Sequence, residues 1–233
     1  RDWSSDVCSS DLLMTLTHSY SSIKDFEGCQ RRYHVVKILK KYKQQDTTAT
    51  LYGTEVHKAF EDVVAHDKPL DPRFQQFAPF VYPLKKMSGE IFCERKMGMK
   101  RDFSPCDFFD PEVWIRGIPD VLAVNQETRI ARVSDYKTGK SARFADTSQL
   151  ELMAAMVMQH YPEIKVVKGA LLFVEAQTII NAEYHRYELP GILSKWAGRA
   201  NQIEKTLDIG VWNATPSGLC KFCPLPEGEC EHR

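Results

Sequence analysis

Apolar residues recur at helical spacing in the first third of the chain and at alternating spacing through its middle. Between Ser19 and about Leu39, Ile23, Phe26, Tyr33 and Val36 form a broken helical stripe that runs into the basic stretch KILKKYK. Leu51 to about His66 predicts a second helix, with Val56, Phe60, Val63 and Val64 on one side. Residues 67–89 hold four of the twelve prolines and predict an irregular connection. The pattern then turns to strands: EIFCERKMGM, EVWIRGIPDVLAV and RIARVSDYK, the last two joined by NQET. Ser148 to His160 is apolar almost all round, as a buried helix would be. VVKGALLFV and TIINAEYHRYEL predict two more strands, and Leu189 to about Ile209 an amphipathic helix ahead of a Cys-rich tail. This order of elements predicts an α/β sandwich with a mixed central sheet rather than a doubly wound array.

Composition narrows the class. The 233 residues, 43% hydrophobic and 27% charged, suit one soluble globular domain. No apolar run approaches the roughly 18 to 20 residues of a membrane-spanning helix, so no membrane role is expected. Basic and acidic residues balance at 31 each, which excludes a uniformly basic nucleic-acid coat but leaves room for a local basic stripe. Residues 1–12, RDWSSDVCSSDL, read as a translated sequencing adapter, so residues 1–13 are expected to be non-native, with Met14 the start and 14–233 a single domain. Without residues 1–13 the balance becomes 30 basic to 28 acidic, a net of about +2. The adapter-like stretch has neither the basic start nor the apolar core of a secretion signal, so a cytoplasmic location, in a prokaryotic or phage-infected cell, is expected.

The candidate chemistry lies in the strands. Asp135 and Lys137 are two apart in a strand and share a face. If the hairpin turns on Gln126 and Glu127, Asp120 pairs with Val133 and joins that face, roughly 7 to 8 Å diagonally from Asp135. Pro119, with no amide proton, suggests an edge or bulge beside it. Two carboxylates can hold Mg²⁺ or Mn²⁺, and a neighbouring lysine can orient water and stabilise a pentacoordinate phosphate. Taken alone, a D-x-K triplet is more often a solvent-facing ion pair. His57 and Glu61 stand one helical turn apart, after Gly53 and Thr54, where a small residue permits close packing. A zinc-protease reading fails because no H-E-x-x-H is present. Gln149 is an amide at the start of an apolar helix and needs a polar partner.

In order, GTEVHKAFE, GIPD, DYKTG and QLELM resemble the four motifs of the PD-(D/E)XK nuclease superfamily, specifically its RecB-like exonuclease branch. The resemblance covers Leu51 to Met153. It implies a restriction-endonuclease-like core, with His57, Asp120, Asp135 and the Tyr136 carbonyl as metal ligands. Lys137 would be the catalytic lysine, with Gln149 positioning the site and the DNA. Met153 stands where the family usually carries an aromatic residue. Glu94 occupies an acidic position of some members without an assigned role, and Glu61 is a similar case.

Six cysteines remain outside the adapter-like stretch, and Cys220, Cys223 and Cys230 crowd the tail. With no secretion signal, clustered thiols point to a metal rather than disulfides. Zinc held by the three tail thiols and His232 is one reading. The distant Cys29 resembles the split arrangement of iron–sulfur RecB-like nucleases of the AddB and CRISPR-associated kinds. That resemblance implies a 4Fe–4S cluster on Cys29, Cys220, Cys223 and Cys230, clasping segments 14–45 and 210–233 together. Cys93 and Cys106 are expected to be ordinary thiols. The basic run Arg31, Arg32, Lys37, Lys40 and Lys41 is either a solvated face or a phosphate track, with Tyr33 and Tyr42 as candidate stacking residues.

The combined expectation is a metal-dependent deoxyribonuclease acting exonucleolytically on single-stranded DNA or DNA ends, in replication, recombination or repair. Without a P-loop, any helicase or recombination partner would be a separate chain. The alternatives are a CRISPR-adaptation nuclease and a DNA-binding subunit with a relic site.

Overall fold

The structure, a computed structural model, describes residues 16–233, so the adapter-like stretch and Met14 lie outside the described residues. The first helix opens on a capping box at Ser19, whose hydroxyl accepts the Ser22 amide. It does not continue to Leu39. Helix α1 (Tyr20–Gly28) stops at Cys29, which is extended at φ −168° and ψ 109°, and a short α2 (Gln30–Tyr33) starts directly after it. A π-type turn follows at His34–Ile38. Gly28 is a poor helix former, and the break it precedes puts Cys29 at a helix junction instead of on a helix face.

Helix α3 (Thr48–His66) is capped by Thr47 and ends on Asp67 in the left-handed region, φ 54°. The connection after it is more regular than its prolines suggest. It forms a 3₁₀ turn (Pro72–Phe77), a short α4 (Ala78–Val81) and a second 3₁₀ turn (Leu84–Lys86). Pro72 and Pro79 occupy first-turn positions, where a missing amide proton costs nothing. This leaves Leu70, Phe74, Phe77 and Val81 buried against Val56, Phe60 and Val63 of α3.

Two of the expected strands each divide in two. EIFCERKMGM becomes β1 (Glu90–Cys93) and β2 (Met97–Met99), and after a short β3 (Pro105–Cys106) the next becomes β4 (Ile115–Gly117) and β5 (Val121–Asn125). Then come β6 (Ile130–Lys137), α5 (Ser148–His160), β7 (Val166–Phe173), β8 (Thr178–His185) and α6 (Leu189–Ile209). The main sheet has the order β1-β5-β6-β7-β8, and β2 lies between β3 and β4 in a smaller sheet. Only β6 and β7 run parallel in the main sheet, so it is mixed. One face carries α5, α6 and the N-terminal helices around Trp196, Met156 and Leu122. The other is covered by α3 and the 70–84 segment.

The β5–β6 register differs from the expected one. Asn125 faces Ile130 and Val121 faces Ser134, so the turn spans Gln126–Arg129. Thr128 donates its amide to the Asn125 side chain (2.9 Å), and Arg129 takes φ 57°. Continued past Val121, this register sets Asp120 opposite Asp135 rather than Val133. The slip is by two residues, so both acids keep one face.

The smaller sheet is tied to α6 through Glu204. Its carboxylate accepts from Trp114 Nε1 (2.7 Å) and Arg101 Nη2 (2.8 Å), and lies 3.1 Å from Nε2 of fully buried His18. Burial holds His18 below its usual pKa despite Glu204, and the hydrogen bonds to Glu204 outweigh burial to lower the carboxylate. Both folded-state shifts are downward, so this contribution to stability is present above the ordinary histidine range and lost as pH falls. Glu204→Ala, which leaves buried donors unpaired, is expected to cost about 2 to 4 kcal/mol in denaturant unfolding and, because Glu204 opposes the lowering of His18, to steepen the loss of stability as pH falls through the histidine range.

Candidate active site

The two divided strands cross between sheets side by side. β1 ends at Cys93 before β2 begins at Met97, and β4 ends at Gly117 before β5 begins at Val121. At the crossing the Glu94 amide donates to the Asp120 carbonyl (3.1 Å), with Glu94 at φ 52°. Pro119 sits in the gap, where no ladder bond is required of it. The crossing thus sets two acidic side chains at the end of β6.

Asp120 is nearly buried, and its Oδ2 accepts the Tyr136 amide at 2.6 Å. Its Oδ1 lies 3.3 Å from His57 Nδ1. The other ring nitrogen of His57 is 3.2 Å from the Tyr136 carbonyl oxygen, and the imidazole meets the Tyr136 ring edge-on. Ligand atoms of His57, Glu94 and Asp120 all fall within 4.8 Å of one another. Glu61, one turn beyond His57, is instead paired with Lys58 at 2.9 Å.

Asp135, Lys137 and Gln149 make a second, adjoining group. Lys137 Nζ donates to Gln149 Oε1 (2.8 Å), and Gln149 Nε2 donates to Asp135 Oδ1 (2.5 Å). The ammonium also stands 2.6 Å from Asp135 Oδ2, though that buried oxygen has no aligned hydrogen-bond donor. Gln149 therefore has the polar partners its position called for, and it sets the lysine beside the carboxylate.

Close packing makes this convergence geometrically feasible. A Cβ on Gly53 would lie 3.2 Å from Thr138 Oγ1, so the glycine lets α3 approach the end of β6. A Cβ on Gly117 would overlap the side chain of Met153, which fills the space beneath the crossing from α5.

The charges do not balance. Burial first, then the charge of Asp120, pushes Asp135 up against the pull of Lys137. Burial and Asp120 likewise raise Glu94. Burial lowers His57, but Asp120 outweighs it and the net shift is upward. Three carboxylates facing one lysine in a half-dry notch match the needs of a divalent cation, which takes oxygen ligands. The Asp135 oxygen that lacks an aligned donor and the His57–Glu94–Asp120 group fit such an ion.

Elsewhere the structure distributes the candidate residues differently. Arg31 pairs with Glu231 (2.5 Å), Arg32 and Lys37 with Asp25 (2.6 and 3.5 Å), and Lys41 with Glu229 (2.8 Å). Much of the basic run thus ties the N-terminal helices to one another and to the tail. Lys40, adjoining it, takes φ 51°. Tyr33 is buried and stacks on Trp212, while Tyr42 bonds to Glu229. Cys29, Cys220, Cys223, Cys230 and His232 line one small cavity. The Thr215 amide points at Cys29 Sγ (3.5 Å) and the Ser217 amide at Cys220 Sγ (3.3 Å). Among the described residues, no three ligand atoms of this cavity lie within 4.8 Å of one another. Cys93 is a half-buried thiol pushed up to about 11 by burial and the nearby acids, and Cys106 is also partly buried.

A profile of the PD-(D/E)XK nuclease superfamily matches residues 17–227. The chain belongs to the PD-(D/E)XK nuclease superfamily. Among solved structures, this nuclease-family chain is similar to a presumed exonuclease from Eubacterium rectale, at 16% identity over 97% of this chain and 95% of that one, with a TM-score of 0.53. At that identity the likeness is one of fold. The structure of SSO0001 aligns at 13% identity over 89% of this chain and 82% of that one, with a TM-score of 0.47. No curated protein sequence matches.

Glu94 is the site residue for which the sequence carried no role; its placement depends on a left-handed turn that no periodicity reveals. In a calorimetric titration with Mn²⁺, Glu94→Gln is expected to weaken binding about tenfold or more, in the range seen when a metal site loses a supporting group. Unchanged affinity would remove Glu94 from the site.

Proposed function

We propose that the protein is a divalent-metal-dependent deoxyribonuclease that removes nucleotides from single-stranded DNA or DNA ends, in replication, recombination or repair. The observation that carries this reading is the junction of two groups: His57, Glu94 and Asp120 on one side, and Asp135, Lys137 and Gln149 on the other. A family relative with a relic site would have no need of a lysine held by two partners beside a buried carboxylate.

His57, Glu94, Asp120 and Asp135, with the Tyr136 carbonyl, would hold Mg²⁺ or Mn²⁺. Such an ion supplies positive charge to the phosphodiester oxygens as negative charge develops there. Asp120 holds the end of β6 through the Tyr136 amide and so keeps Asp135 and Lys137 in place. Gln149 accepts a hydrogen bond from the Lys137 ammonium and Asp135 pairs with it, which leaves a remaining N–H to orient water and to meet the pentacoordinate phosphate. The ion pair with Asp135 (2.6 Å) fixes the lysine's position before substrate arrives.

We further infer that Cys29, Cys220, Cys223 and Cys230 hold a 4Fe–4S cluster that pins the two chain ends together. Their shared cavity and the amides aimed at two of the sulfurs support this, because thiolate ligands of such clusters accept backbone hydrogen bonds. The cluster's part is structural, since binding energy at a split site becomes folding energy.

Incubated with end-labelled single-stranded DNA and Mg²⁺ or Mn²⁺, the protein is expected to shorten the label progressively, and Lys137→Ala to be slower by roughly 10² to 10³-fold, as when a transition-state charge partner is removed. Equal inactivity of folded parent and variant would favour a DNA-binding subunit. Anaerobically purified protein is expected to be brown, with Cys29→Ser losing both iron and thermal stability; a colourless protein containing zinc would overturn the cluster.

A further inference from the structure

The loop between β6 and α5, residues 138–147, carries a feature that the catalytic reading leaves unused. Phe144 is 86% exposed, the most exposed of the large hydrophobic side chains among the described residues. A solvated phenyl ring is a standing cost, because that apolar surface stays in contact with water. Beside it, the Arg143 guanidinium lies 5.3 Å from the ring centroid, and Lys140 is exposed on the same loop.

The loop is firmly mounted. Ala142 and Ala145 pack against the main core, and the Ala145 amide closes a turn on the Ala142 carbonyl (3.0 Å). Asp146 is held by Lys24 (3.2 Å) and Tyr20 (3.2 Å), and its Oδ1 accepts from the Ser148 amide (2.9 Å). Burial opposes the charged form of Asp146, but Ser148 and Lys24 outweigh it and hold the acid well below the usual carboxylate range. The ring therefore stands on an ordered base instead of at the end of a floppy segment.

The loop's two ends meet at the catalytic group. It leaves from Lys137 and returns to Gln149, and those side chains are hydrogen-bonded at 2.8 Å. Phe144 is five residues from Gln149, so their Cα atoms lie within about 18 Å even with that chain fully extended. An unpaired nucleotide two or three positions from a phosphate at Lys137 falls inside this reach.

We propose that Phe144 is a base-stacking post for the substrate strand, with Arg143 and Lys140 gripping the adjoining phosphates, which makes the site selective for unpaired nucleotides. Every base offers a π-face, so such a contact holds a strand without reading its sequence. A duplex keeps its bases stacked on one another and gives the ring nothing to accept. This inference rests on the nuclease reading for its substrate, but its test does not require cleavage.

Fluorescence anisotropy would measure binding of labelled single-stranded and duplex DNA to the full chain, in Ca²⁺ to suppress turnover. Phe144→Ala is expected to weaken single-strand binding roughly 5- to 150-fold, the range for loss of one stacked base, and to weaken duplex binding much less. Phe144→Trp should restore single-strand binding where Phe144→Leu does not. A single-stranded probe bearing one abasic nucleotide at the stacked position should bind parent and Phe144→Ala alike. Single-strand affinity within twofold of the parent for Phe144→Ala overturns the proposal, as does an equal loss for both DNAs or rescue by Leu. Equal thermal stability of the variants would exclude misfolding. If parent and Phe144→Ala separate in binding but no DNA is ever cut, the nuclease reading fails while the stacking post stands.

Discussion

Excess negative charge in a half-dry notch is the constraint around which this protein is organised. Asp120, Asp135 and Glu94 converge, and among the described residues Lys137 and His57 oppose them. Such an arrangement costs free energy that an apolar core would not. The fold accepts it by driving two strands from one sheet to another at the same level, where the Glu94 amide donates to the Asp120 carbonyl. α3 brings His57 from one face and α5 brings Gln149 from the other, each admitted by a glycine or an apolar contact at the sheet.

The same layout seats the chemistry on the edge of the packing. The large aromatic and aliphatic clusters lie on both sides of the sheet, and one reaches the charged end through Tyr136, whose ring meets His57. The chain termini are held by a different device: Arg31 and Lys41 reach across to Glu231 and Glu229, and the Arg31 amide donates to the Asn213 carbonyl (3.1 Å). These contacts span nearly the whole sequence, which is why the four tail-clasp cysteines end up around one cavity. Exposed ion pairs of this kind are individually weak. A bound cofactor there would add what they lack.

Much of the architecture was legible because it follows periodicity. Alternation marked the strands, and the D-x-K spacing placed Asp135 and Lys137 on one face whatever the hairpin register. The register itself was misjudged, since a four-residue turn closed by Asn125 and the left-handed Arg129 leaves only a weak trace in NQET. An even slip preserved the face. Glu94 was harder: its position depends on a positive φ at a sheet crossing that looks, in sequence, like an uninterrupted strand. The break at Cys29 and the ion pairs of Arg31 and Lys41 were also hidden, because their partners lie far away in the chain. A run of basic residues reads as a nucleic-acid stripe until the acids that neutralise it are located.

Anomalous diffraction from crystals soaked in Mn²⁺ tests the central claim most directly. The account predicts a peak bounded by His57, Glu94, Asp120 and Asp135, within coordination distance of the Tyr136 carbonyl, and its loss in Asp120→Asn. A fully ordered site with no peak there, or a peak only at unrelated surface carboxylates, would contradict it.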